Sequence, residues 1–373
     1  MTTPVLLTAE VIVGETLTAA IPLESTPVTR VLRDALDPGA LSRIVLDSLS
    51  KAGLYITIAV GLTLIFGLMG VLNFAHGSFA MFGAYLGGVV MVVAVSSGTG
   101  DIARFAIFFG AAAFVLAVMT VVGSLVEKKL IRSVYDRPPL FQILLTFGIV
   151  LVMDEAARIV VEARGITPRS RWEAPFDTLP SILGARYDVF GSTIRGIWVF
   201  EIAVGIAIVV GTYLFLTRTR YGLYIRAGSE DGEMAQALGI DIRKAFTLVF
   251  GLGTGLAAFS GVILMWDPRF GASVPLGVEA LLIAFVVVII GGLGTFKGTV
   301  VAGVLVGFID GFTTWLLPNY SAVEFGLLSA VLPGEWAIPM ASSLPEATMF
   351  LALVAVLVVR PQGLYGVEEV GGH

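Results

Sequence analysis

The chain has 373 residues, of which 57% are hydrophobic and 14% charged, with a net charge of −5 and a mean hydropathy of +0.93. A soluble domain of this length would expose more apolar surface than water tolerates, and uncharged runs of about 18 or more residues read as bilayer spans. With no cysteine, one interior histidine (His76) and no long basic cluster, the sequence excludes a disulfide framework, a thiol nucleophile, a Cys/His zinc site and nucleic-acid binding.

Residues 1–43 read as a polar extension with a short surface helix. Glu10, Glu15, Glu24, Asp34 and Asp37 stand there against Arg30 and Arg33. The basic n-region and sustained apolar h-region of a signal peptide are missing. Residues 44–366 read as one membrane domain, and 367–373 as a short tail. Its predicted spans are 52–72, entered from residue 44 at the earliest, then 77–97, 105–126, 140–161, 196–217, 245–266, 280–296 and 298–317. A ninth stretch, 347–359, is short for a span, which needs about 20 residues. The fold class is therefore an all-α polytopic membrane protein with about 8–9 transmembrane or re-entrant helices. The 280–296 segment is read as either a span or a re-entrant turn.

Basic residues are densest at 127–139, with Lys128, Lys129, Arg132 and Arg137. By the positive-inside rule that face is cytoplasmic. The N-terminus then lies outside and the C-terminus inside. Trp198, Trp266 and Trp315 fall at span ends on the outer face, as an interfacial belt would. The 318–345 connection, with four prolines, reads as an outer loop with a short helical piece.

Several spans contain glycine at helical spacing, as in Gly303, Gly307 and Gly311, in Gly251 and Gly255, and in Gly83 and Gly87. Such stripes let helices approach closely in lipid. GLGTG at 251–255 lies inside an uncharged span and is not a dinucleotide loop. GGLGTFKGT at 291–299 fails the phosphate-loop spacing, because Gly298 follows Lys297. It reads as a tight turn or broken segment. Charges inside spans are few. Asp154 and Arg158 are spaced to pair, and Asp310 stands alone as an intramembrane acid that either faces other helices or meets a substrate ammonium.

VLNFAHGSFA, residues 71–80, places Asn73 and His76 in membrane-grade sequence. Such residues are tolerated where a helix breaks and its freed backbone groups face protein or a water-filled cavity. His76 either fixes that break by hydrogen bonding or lines the path. Residues 218–246 read as a stubby amphipathic helix between two spans. Ser229 is its candidate N-cap, Met234, Ala235 and Leu238 form its apolar stripe, and Gly239 is its stop.

Four stretches together resemble one family. GLTLIFGLMGVLNFAHGSFAMFGAYLG (61–87), RYGLYIRAGSEDGEMAQALGI (220–240), IIGGLGTFKGT (289–299) and RPQGLYG (360–366) are similar to the permease subunits of branched-chain amino-acid ABC importers, the H-type permease in particular. The resemblance implies an ABC importer permease fold and no enzymatic activity in this chain. It places Asn73, Phe74, His76 and Gly77 at a helix break near the translocation path. It places Glu233, Ala235, Gly239 and Ile240 in the loop that couples to the ATPase, and Gly291, Gly292 and Gly294 in a glycine turn. It implies no catalytic residue, metal or cofactor in this chain, ATP being bound by partners. The implied partners are a second homologous permease, two cytoplasmic ATPase subunits and an external solute-binding protein, all at the cell membrane. Related permeases move urea or short amides, and these stay open as alternatives. An ion-coupled secondary transporter is the rival from another class, with Asp310 as its one candidate coupling group.

Overall fold

The computed structural model of the protein describes residues 27–135, 137–319 and 334–366. Residues 1–26 of the polar extension, 320–333 of the proline-rich connection and the tail 367–373 lie outside the described residues. The chain runs through α1 (Pro27–Ala35), α2 (Pro38–Met69), α3 (His76–Ala94), α4 (Asp101–Lys129) and α5 (Pro139–Ala163). A hairpin of β1 (Arg186–Val189) and β2 (Ser192–Arg195) follows, then α6 (Gly196–Arg218), α7 (Arg220–Glu230), α8 (Gly232–Ala237), α9 (Ile242–Leu264), α10 (Leu276–Gly291), α11 (Phe296–Asn319) and α12 (Gly334–Val359).

Among the described residues, six helices are long and apolar enough to cross a membrane: α2, α3, α4 with the turn after it, α6, α9 and α11. α5 adds a further 25-residue helix. Two shorter apolar helices, Leu276–Gly291 and Glu346–Val359, complete the set. α10 has 16 residues, about 24 Å of helix against a hydrocarbon core of about 30 Å. Pro275 and Gly292 bound it.

α2 is the axis of the bundle. The Asp37 carboxylate accepts the N–H groups of Gly39 and Ala40, and Pro38 stands at the first helical position, where its missing N–H costs nothing. The helix then runs 32 residues, about 48 Å, well beyond a bilayer core. It begins well before residue 52 because Lys51 and Asp47 are buried inside it rather than marking its edge. α2 and α9 have 83% and 78% of their apolar windows buried, against 28% for α4 and 22% for α6. The first pair therefore forms the centre and the second lies at the periphery.

Small residues make this centre possible. A Cβ added to Gly253 would stand 2.6 Å from the Gly61 carbonyl oxygen, and one on Gly307 would stand 2.6 Å from the Ala52 nitrogen. Gly303 and Gly311 meet Ile56 and Ser48 in the same seam between α11 and α2. Gly251 and Gly255 face Thr120 and Ser124 of α4, and Gly83 and Gly87 face α9. The glycine stripes are thus helix seams, in which close backbone approach replaces the hydrophobic drive that lipid does not supply.

The 186–195 hairpin and the 265–275 segment mark one end of the bundle, called here the hairpin end. The 130–138 and 219–241 loops and residues 360–366 gather at the opposite, tail end. Trp266 is at the hairpin end but is not an interfacial residue. It is fully buried, stacks on Phe108 with centroids 4.0 Å apart, and donates Nε1–H to Thr178 at 3.0 Å.

Candidate functional site

The NFAHG residues occupy the passage from α2 to α3. Gly70 closes α2 in the left-handed conformation (φ +62), and residues 71–75 run back without helix. His76 Nε2 lies 2.8 Å from the carbonyl oxygen of Ile58. Ile58 is some eleven residues before the end of α2, about 16 Å along its axis. α3 therefore starts deep in the bundle rather than at its surface. Asn73 and His76 are both fully buried. Asn73 Oδ1 accepts the Ala75 N–H at 3.1 Å, and its carbonyl accepts the His76 N–H at 3.2 Å. Protein groups thus meet part of what the helix break sets free. Among the described residues, Asn73 Nδ2 and His76 Nδ1 have no hydrogen-bond partner. Phe74 sets its ring against Phe285 of α10, with centroids 5.1 Å apart. Gly77 abuts α10, where an added Cβ would overlap the Gly277 carbonyl.

The glycine turn joins α10 to α11. Gly292 (φ +100) and Gly294 (φ +79) take conformations that L side chains rarely adopt. Gly294 approaches Gly67 at the end of α2, and Gly298 packs on Gly291. The RPQGLYG stretch lies against the same turn. Leu364 N–H donates to the Ile290 carbonyl at 2.8 Å and Tyr365 N–H to the Gly291 carbonyl at 3.0 Å.

The 218–246 stretch holds two helices, not one. Thr219 caps α7 by accepting the Gly222 N–H at 3.0 Å, and Asp231 caps α8 by accepting the Met234 N–H at 2.8 Å. Ser229, the expected cap, sits in the last turn of α7 and donates to the Arg226 carbonyl. Gly239 (φ +87) ends α8 as anticipated, with the Ile240 N–H donating to Ala235 at 3.0 Å. The expected apolar stripe divides. Ala235 is buried, whereas Met234 is 57% and Leu238 76% exposed. Glu233 is exposed beside them. Asp241 then caps α9, and the hydrogen bonds of Lys244 hold its carboxyl below the usual range.

Two charged clusters escaped sequence reading. At the tail end, the buried Glu127 accepts Arg132 Nε and Nη2 at 3.1 and 2.9 Å, the Tyr135 hydroxyl at 2.7 Å and the Thr247 hydroxyl at 2.6 Å. This ties the 130–135 turn to the first turns of α9. At the hairpin end, Arg269 reaches Asp267 at 2.7 Å, Asp47 at 3.2 Å and Glu201 at 2.6 Å. Burial works against its charge, but the three carboxylates hold its pKa above the ordinary guanidinium value. Lys51 bridges Asp47 at 3.3 Å and Asp310 at 3.1 Å. Asp310 is thus not isolated: it also accepts from Thr314 at 3.1 Å and from the Tyr55 hydroxyl. The i, i+4, i+8 spacing of Asp47, Lys51 and Tyr55 is the signal that reveals this face. Arg158 pairs with Glu155 at 3.4 Å instead of Asp154, which accepts the Ser78 hydroxyl at 2.9 Å.

Residues 44–359 match the family described as branched-chain amino acid transport system, permease component. The permease protein BraD of the high-affinity branched-chain amino acid transport system of Pseudomonas aeruginosa is 25% identical over 295 residues, covering 77% of this chain and 91% of the relative. LivH of the corresponding Escherichia coli system is 25% identical over 326 residues, covering 85% and 92%. A probable LivH of Methanocaldococcus jannaschii is 25% identical over 327 residues, covering 85% and 90%. No solved structure matches the chain. A helical membrane bundle whose sequence follows one family from α2 through α12 belongs to that family: the chain is a member of the permease components of branched-chain amino acid transport systems.

Proposed function

We propose that this chain forms part of the translocation path of an ATP-driven importer of branched-chain or related small apolar amino acids. The observation that carries the reading is the α7–α8 loop, which leaves Met234 and Leu238 exposed at the tail end of a bundle belonging to this family. Two exposed apolar side chains, Met234 on a capped six-residue helix and Leu238 at its C-cap, suit insertion into a groove of a partner. Glu233 and the Gly239–Ile240 stop set the rim and angle of that helix.

In this reading the tail end is cytoplasmic, and two ATPase subunits dock on the loop, bind ATP and hydrolyse it. A second permease completes the path, and an external binding protein delivers the solute to the hairpin end. The chain transports and catalyses no reaction itself. Partner closure moves the permease only through unequal affinity for its two states. Asn73, Phe74, His76 and Gly77 hold the buried start of α3 beside the path. The glycine turn and the 360–366 stretch lock α10 to α11 near the docking loop. Asp310 neutralises Lys51.

The experiment is reconstitution of the purified complex into proteoliposomes, with ATP supplied on the side of the ATPase subunits. ATP-dependent accumulation of labelled leucine, isoleucine or valine is expected. Accumulation of urea or acetamide instead would reassign the solute. Uptake driven by an ion gradient without ATP would overturn the importer reading.

A further inference from the structure

We infer that a cavity at the hairpin end, between α2, α10, α11 and α12, is a transit site for a zwitterion with an apolar side chain. The inference rests on the function proposed above and locates the solute within this chain. The cavity has a volume of about 360 Å³, at the small end of the range for ligand sites, about 300–1,000 Å³.

Its walls divide by chemistry. Leu282, Val286 and Met349 contribute to an apolar side. Lys51 and Asp310 also line it, but their charges are committed to each other at 3.1 Å. Arg269 is likewise committed to three carboxylates. Three charged groups remain around the cavity: Arg171, Glu279 and Glu346. All three are exposed, and none has an ion-pair partner within 4.0 Å among the described residues.

Two of these groups are set by their surroundings. Glu279 is in the first turn of α10, where the helix dipole favours its charged form, and Arg171 is the nearby cation that acts on it. Arg171 donates Nη1–H to Pro268 and Nη2–H to Arg269, both backbone carbonyls. Those bonds fix the guanidinium and leave three of its five donors unused. A free acyl chain would find no use for these charges, and a bare cation would find no use for the apolar side. An amino acid uses both: its ammonium meets Glu279 or Glu346, its carboxylate meets Arg171, and its side chain lies on Leu282, Val286 and Met349.

The test uses the whole complex in proteoliposomes with saturating loaded binding protein, so that the permease step limits uptake. Labelled leucine and labelled alanine are compared in Glu279→Gln, Glu346→Gln and Leu282→Trp. The acid variants are expected to lower the leucine uptake rate about tenfold, the effect of losing one charged contact worth a decade of affinity. Leu282→Trp narrows the apolar side and is expected to shift the leucine-to-alanine rate ratio about tenfold towards alanine. Binding-protein-stimulated ATP hydrolysis, read in parallel, reports assembly. If Glu279→Gln loses that stimulation, the other two variants decide. Unchanged leucine rate in Glu346→Gln together with an unchanged ratio in Leu282→Trp overturns the site while the importer reading stands. A parent complex that takes up no apolar amino acid overturns the importer reading first.

Discussion

Leu364 donates its backbone N–H to the carbonyl of Ile290 at 2.8 Å. A segment that follows the last helix thereby satisfies a carbonyl left open at the C-terminus of α10, some 74 residues earlier by numbering. Gly292 permits the approach, since its φ of +100 turns the chain and an added Cβ would stand 2.4 Å from the Gly366 nitrogen. Two motifs that are separate in sequence are one structural joint. The same joint touches α2, because Gly294 approaches Gly67.

Gly292→Ala should open this joint. The left-handed backbone costs a residue with a Cβ about 1–3 kcal/mol, and the steric overlap adds to that. Hydrogen exchange at the amides of Leu364 and Tyr365 should accelerate at least about tenfold, a loss of roughly 1.4 kcal/mol of protection. Gly148→Ala is the control, because its added Cβ meets nothing within 4 Å. Equal exchange in the two variants would show that Gly292 does not hold the joint.

Lys51→Met should destabilise the bundle strongly. It leaves Asp310, buried on α11, with hydroxyl partners but no cation. Breaking one side of a buried ion pair costs about 3–5 kcal/mol, more than removing both charges together. The double variant Lys51→Met/Asp310→Asn should therefore melt at a higher temperature in detergent than Lys51→Met alone. Additive losses across the cycle would mean that the two residues are not coupled.

The membrane character and the order of the spans were legible because apolarity decides insertion, and insertion depends on local sequence. The glycine seams were legible for the same reason: Gly303, Gly307 and Gly311 announce one face by spacing alone. What escaped was tertiary. The predicted span starts at residue 52, just past Lys51, because a lone lysine in lipid is costly, but Asp310 lies 259 positions away and supplies the missing charge. Trp266 looked like a belt residue, since belts are the default for tryptophan at span ends, but Phe108 and Thr178 enclose it. Ser229 and Asp231 are both good caps. Only the backbone decides between them, and it turns extended at Asp231 (φ −153). The 186–195 hairpin fell within what sequence treats as loop.

His76→Ala should cost stability and transport together. The imidazole is fully buried against the Ile58 carbonyl, and its removal leaves a cavity at the start of α3. A loss of about 1–3 kcal/mol is expected from the hydrogen bond and packing combined. Melting temperature and ATP-dependent uptake are the readouts. If the variant keeps both at parental values, the buried start of α3 needs no imidazole. If it keeps stability and loses transport, His76 acts on the solute or on the switch between states, and not on the fold.

The α8 face offers the sharpest separation of fold from coupling, because three neighbouring residues meet different surroundings. Leu238 is 76% exposed and Ala235 only 2%. Leu238→Asp replaces an exposed apolar side chain and should change stability by no more than about 0.5 kcal/mol. If the ATPase subunits seat on this helix, the same variant should lose them, because an aspartate in an apolar groove must give up its hydration without a partner. Met234→Asp should behave alike. Ala235→Asp should instead unfold the loop, since it places a carboxylate against the bundle. Co-purification of the ATPase subunits and melting temperature, measured on all three variants, separate the cases. Retention of the ATPase by both Leu238→Asp and Met234→Asp would remove this helix from the docking surface. The exposed apolar pair would then be an ordinary feature of the loop, and the coupling contact would have to lie elsewhere at the tail end, with the 130–135 turn held by Glu127 the next element to test.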